Sequence, residues 1–180
     1  MQRRQLLRLG GLGVVAAAGI GFWRLPRADA PAGLHIEDAQ RLLAELAGKP
    51  LASRRGWSPA EVFNHCAQSV EYSIGGYPEL KPAWFRASLG PLAFGVFAAR
   101  GAMRHRLDEA IPAADTLREP ASQAQALQRL RRAFARFADH RGELQPHFAY
   151  GLLSHADYAQ AHVLHLYDHL SLIRVLDQPA

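Results

Sequence analysis

Residues 154–176 read SHADYAQAHVLHLYDHLSLIRVL. Ser154 followed by Asp157 resembles a capped helix start, and no Pro or Gly interrupts what comes after. At 3.6 residues per turn, His165 and His169 stand one above the other on one face, with His162 a turn earlier on nearly the same stripe. Leu166, Leu170, Ile173 and Leu176 give the same helix an apolar side. The histidines therefore border the buried side of the helix.

Two imidazoles at i and i+4 are a common way for a helix to hold a transition metal. The ligand form is neutral imidazole, and a third ligand is usually needed. The competing explanation is a pair of half-buried histidines on a helix shoulder, each hydrogen-bonded. Spacing alone leaves both open, so the rest of the chain has to supply the third ligand.

That ligand is sought on the other amphipathic segments. A first helix is predicted over Ile36–Ala47, with Ala39, Leu42, Leu43 and Leu46 as its apolar stripe and Gly48 and Pro50 as its stop. Leu51–Gly56 reads as a basic linker. A second helix opens at Trp57-Ser58-Pro59-Ala60-Glu61 and runs to about Ile74. Ser58 suits the N-cap, Pro59 the first helical position and Glu61 a capping box. His65 lies two turns in, and Glu61, Ser69 and Tyr72 share its face. A third helix is predicted over Ala83–Gly101, with a kink or break at Gly90-Pro91. Arg104–Pro120 has two prolines and little periodicity and reads as a long connection. A fourth helix spans about Ala121–Asp139, where Leu127, Leu130, Phe134 and Phe137 form a core stripe. Arg129, Arg131, Arg132 and Arg136 fall largely off that stripe and read as a solvated face. Residues 140–153 form a loop ahead of the histidine helix.

No segment carries a strand signal, and there is no internal repeat. Four to five amphipathic helices imply an all-α bundle of one domain, residues 31–180. Bundles build metal sites between facing helices, and His65 on one helix with His165 and His169 on another is that arrangement.

The formal charge of +5 does not indicate nucleic acid. Residues 1–30 hold five arginines and one acid, leaving 16 basic and 15 acidic residues in the body. A near-neutral body is poor ground for phosphate binding. Residues 1–30 themselves read as an export signal of the twin-arginine type or as an anchor. Arg3-Arg4-Gln5-Leu6-Leu7 precedes a Gly- and Ala-rich apolar stretch, Leu9–Phe22, which ends near Ala28-Asp29-Ala30. The apolar core is short for a bilayer, which needs about 20 apolar residues. The body is thus expected outside the cytoplasm, periplasmic or anchored facing that space, with membrane contact only through this segment. The single cysteine, Cys66, forms no internal disulfide.

The run Trp57-Ser58-Pro59-Ala60-Glu61-Val62-Phe63-Asn64-His65-Cys66-Ala67 resembles the opening of the DUF1569 family, within the DinB-like (YfiT-like) four-helix-bundle superfamily. Lys81-Pro82-Ala83-Trp84-Phe85-Arg86 and His165-Leu166-Tyr167-Asp168-His169-Leu170 are similar to it as well. The resemblance covers about residues 36–176. It implies a DinB-like bundle with a three-histidine metal site at His65, His165 and His169, holding a divalent ion such as zinc or nickel. Asp168 stands where relatives often carry a histidine. Some members of the superfamily resemble metal-dependent thiol transferases or isomerases, in which the metal generates a nucleophile.

The expectation is an exported metal-dependent transferase or hydrolase acting on a small molecule. The alternative is a non-catalytic metal-binding or structural bundle of the envelope. Glu61 and Tyr72 are the candidates for supporting or acid–base roles, with Asp168 a weaker one. The competing roles are helix capping for Glu61 and core packing for Tyr72. His162 is a candidate fourth ligand or a residue of the entrance. Cys66 reads as buried packing rather than a redox thiol. Trp57 and Trp84 are able to pack within the monomer or across a homodimer.

Overall fold

The structure, a computed structural model, describes residues 34–117 and 122–176. The signal assigned to residues 1–30 lies outside the described residues. Six helices and two short strands follow in order: α1 (Ile36–Glu45), β1 (Leu51–Ser53), α2 (Pro59–Gly75), α3 (Ala83–Ala87), α4 (Leu89–Arg100), α5 (Gln123–Asp139), α6 (His155–Leu170) and β2 (Ile173–Val175). The chain is thus mostly helical, as the periodicity predicts. Among the described residues no helix is long and apolar enough to cross a membrane.

Local chemistry starts the main helices. Ser58 Oγ accepts from the Glu61 backbone N–H at 3.3 Å, while the Glu61 carboxylate accepts from the Ser58 N–H at 2.8 Å. Ser154 and Asp157 repeat the exchange at the start of α6, and Ser122 and Gln125 at the start of α5. Each such cap satisfies donors that a helix start leaves open, and its loss costs about 1 kcal/mol.

The core then forms as the stripes demand. Leu127, Leu130, Phe134 and Phe137 of α5 are buried against Phe63, Ala67 and Val70 of α2 and Ala39 and Leu43 of α1. Helix α2 packs on α5 and α6, and α1 packs on the same two. The α2–α6 contact faces His65 toward the histidine helix. Arg129 departs from the solvated-face expectation. It grips both carboxylate oxygens of Glu71 at 3.0 and 2.7 Å and the Asn64 side-chain oxygen at 3.2 Å, tying α5 to α2.

Two other expectations are corrected. The last helix stops at Leu170, and Ile173–Val175 is a strand paired antiparallel with Leu51–Ser53, the stretch read as a linker. Side-chain periodicity cannot report this pairing, because the ladder joins residues from opposite ends of the body. The third helix breaks at Ser88, ahead of Gly90-Pro91. Pro91 then occupies the third position of α4, where a missing N–H costs nothing, since the first four N–H groups of a helix have no internal partner. Gly90 itself is needed for a close approach. A Cβ there would overlap the Ala149 carbonyl oxygen and sit 3.2 Å from Tyr150 Cα.

Candidate metal centre

Four histidines converge. His65 comes from the middle of α2, His165 and His169 from successive turns of α6, and His105 from the connection after α4. One ring nitrogen from each lies within 4.8 Å of the others. His65 Nε2 is 3.2 Å from His165 Nε2, and His105 Nε2 is 3.1 Å from His169 Nε2. His65 and His169 are buried, His165 is half-buried and His105 is exposed.

The residues fit a metal ion. A zinc ion bound tetrahedrally at 2.0–2.1 Å spaces its nitrogens roughly 3.3–3.4 Å apart, close to the two contacts above. No pair is wider than 4.8 Å. Desolvation, aided by the neighbouring imidazoles, holds His65 at about 3 and His169 at about 2, and keeps His165 well below its ordinary value. These three rings are therefore neutral near pH 7, which is the form that ligates. Neutral imidazole nitrogens suit zinc, nickel, copper or iron. The Nδ1 atoms of His65 and His169 are buried with no hydrogen-bond partner among the described residues. Those rings are instead held by packing. The Trp57 ring lies 4.9 Å from that of His65 and stacks at 6.1 Å and 3° on that of His169. This places Trp57 within the monomer, whereas Trp84 is 65% exposed.

His105 escapes sequence reasoning. It stands between two arginines in a segment without periodicity, so nothing local marks it. The one available signal is Asp168, an acid beside His169 on the ligand helix. Its Oδ2 lies 2.8 Å from His105 Nδ1 and accepts from the His105 backbone N–H at 3.2 Å. A carboxylate on the far ring nitrogen fixes the orientation of a ligating histidine and raises its basicity.

The structure brings His65, His165 and His169 together, and sets the other candidates apart. Glu61 closes the cap of α2, and half-buried Tyr72 packs its ring 5.7 Å from that of Tyr77. Neither belongs to the histidine group or to the cavity beside it. Cys66 is buried, outside the group, and burial pushes its thiol up, away from thiolate. His162 also stands outside the group, with Nε2 3.1 Å from Ser73 Oγ.

A cavity of about 220 Å³ adjoins the centre, against His65, His105 and His165. Met103, Ile111 and Phe148 give it apolar walls, and it extends to His147 and His162.

The family model for DUF1569, a protein of unknown function, matches residues 32–175. No curated protein and no solved structure matches the chain.

Proposed function

The chain belongs to the DUF1569 family, and we propose that it is an exported, DinB-like helical protein that holds a divalent metal, zinc or nickel, and works on a small molecule in the adjoining cavity. His65, His165 and His169 are the core ligands, and His105 is the fourth. The observation that carries this is the convergence of four ring nitrogens within 4.8 Å at the wall of a cavity. Export rests on the paired arginines and apolar stretch of residues 1–30.

When bound, the metal lowers the pKa of a coordinated thiol or water and so supplies a nucleophile. The chain does the rest. Burial keeps three of the ligand rings neutral, and Asp168 aims His105. A transferase or hydrolase reaction fits such a site. The non-catalytic alternative is favoured by two specific observations. Four imidazoles fill a tetrahedral ion, and neither Glu61 nor Tyr72 lines the cavity.

Metal analysis of the purified protein and of His65→Ala tests the centre. We expect about one divalent ion per chain in the parent and a loss of most of it in the variant. Equal metal content in the two would overturn the assignment. Turnover of simple esters or transfer to small thiols by the loaded protein then separates enzyme from binding module.

A further inference from the structure

Beyond the metal centre the cavity is lined by two more histidines, His147 and His162, exposed by only 7% and 3%. Neighbours with no choice of role fix the proton on each ring. His147 Nδ1 lies 3.1 Å from the backbone nitrogens of both Ala149 and Tyr150. A backbone N–H only donates, so Nδ1 is bare and Nε2 carries the proton. Ser73 Oγ lies 2.7 Å from the Val70 carbonyl oxygen, which only accepts, so the hydroxyl proton is committed there. Oγ then has only lone pairs for His162 Nε2 at 3.1 Å. His162 therefore donates from Nε2 and keeps Nδ1 as an acceptor.

The two remaining ring atoms, His147 Nε2–H and His162 Nδ1, have no hydrogen-bond partner among the described residues. Neither is sealed from solvent as the Nδ1 atoms of His65 and His169 are. Both rings pack on Tyr158, at 6.0 and 5.3 Å between centroids, and both line the cavity wall. Burial holds both neutral, His162 at about 3 and His147 well below its ordinary value. The wall thus offers one fixed donor and one fixed acceptor.

We propose that this wall is a subsite for an uncharged carboxamide-type group on a small, otherwise apolar molecule. The amide oxygen accepts from His147 Nε2, the amide N–H donates to His162 Nδ1, and Met103, Ile111 and Phe148 cover the apolar part. A carboxylate is rejected, because one of its oxygens would face the bare Nδ1 of His162. The inference deepens the proposed function by naming the ligand class of its cavity, but it stands on rings outside the metal-ligand set.

The test uses the full chain, chelator-treated and zinc-loaded, titrated calorimetrically with benzamide, N,N-dimethylbenzamide, benzoate and benzyl alcohol. Benzamide should bind both forms at least about tenfold more tightly than the other three, since each of those lacks or misplaces one partner. His147→Phe and His162→Phe should each lose that preference while metal content is unchanged. Should either variant fail to fold, histidine ring ¹⁵N spectra of the parent remain decisive. Both rings must be protonated at Nε2 and bare at Nδ1. A proton on either Nδ1, or benzoate or benzyl alcohol binding as well as benzamide, overturns the proposal. A chain that takes up no zinc when offered it, yet binds benzamide with that preference, would sink the metal assignment alone, and a metal-loaded chain indifferent to benzamide would sink this one alone.

Discussion

Asp168 and His105 meet across 63 positions of sequence, with Oδ2 2.8 Å from the ring Nδ1 and 3.2 Å from the backbone nitrogen of the same residue. One carboxylate thereby aims a ring at the centre and pins the loop that carries it. Met103, Ile111 and Leu117 anchor the rest of that loop by burial, and Gln68 Nε2 donates to the Asp115 carbonyl at 3.0 Å.

Asp168→Asn keeps the shape and removes the charge. Loss of such a partner typically costs about 10–100-fold in metal affinity. The metal-free protein should lose less than about 1 kcal/mol, because the pair is partly exposed. Competition with a chromophoric chelator reads the first quantity and thermal unfolding the second. Unchanged affinity would show that His105 is not a ligand.

Trp57→Ala tests the packing that holds the two buried rings. With no hydrogen bond on Nδ1, His65 and His169 keep their ring positions by contact with the indole. Removing it should destabilise the half-buried site by about 2–3 kcal/mol and weaken metal binding as the rings gain freedom. Denaturant unfolding with and without zinc separates the two effects. A variant that loses stability but keeps full affinity would place the restraint elsewhere.

The parts of the fold that are local in origin were legible. The Ser58/Glu61 and Ser154/Asp157 caps and the Leu127–Phe137 stripe each write their geometry within one or two helical turns. His65, His165 and His169 were legible for the same reason, since helical spacing fixes their faces and only the docking of α2 on α6 had to be supplied. The β1–β2 ladder was not, because Leu51 pairs with Val175 and neither three-residue strand has room to show an alternation. Ile173 also continues the apolar stripe of α6, so the helix had no sequence reason to stop at Leu170. His105 was hidden because its place depends on a loop path, and that path is set by contacts such as Asp168 that lie far away in sequence.

Acidity should act on the metal-free body through its buried rings. His65, His162 and His169 have folded-state values of about 3, 3 and 2, against an ordinary 6.5. Between those limits the unfolded chain binds more protons, so stability rises with pH across the window. It is fully present above about 6.5 and is lost as pH falls toward 3. Each ring contributes a slope of up to about 1.4 kcal/mol per pH unit. Thermal unfolding of chelator-treated protein should be flat from pH 8 to 7 and fall steeply below 6. A melting temperature equal at pH 7.5 and pH 5 would mean that these rings are not buried neutral.

Gly90→Ala reaches the cavity without touching either set of histidines. The new methyl would overlap the Ala149 carbonyl oxygen, a backbone atom, so the 147–151 turn must move. That turn is closed by paired backbone bonds between His147 and Gly151, at 2.8 and 3.2 Å, and it supplies the two N–H groups that hold His147 Nδ1. Gly151 resists adjustment, because its φ of +77° disfavours any other residue and the Arg86 carbonyl oxygen lies 2.6 Å from where a Cβ would be. The substitution should therefore cost about 2 kcal/mol or more and weaken benzamide binding, while zinc content stays at the parent level. Parent-like stability together with parent-like benzamide affinity would show that the turn has slack that its contacts do not indicate.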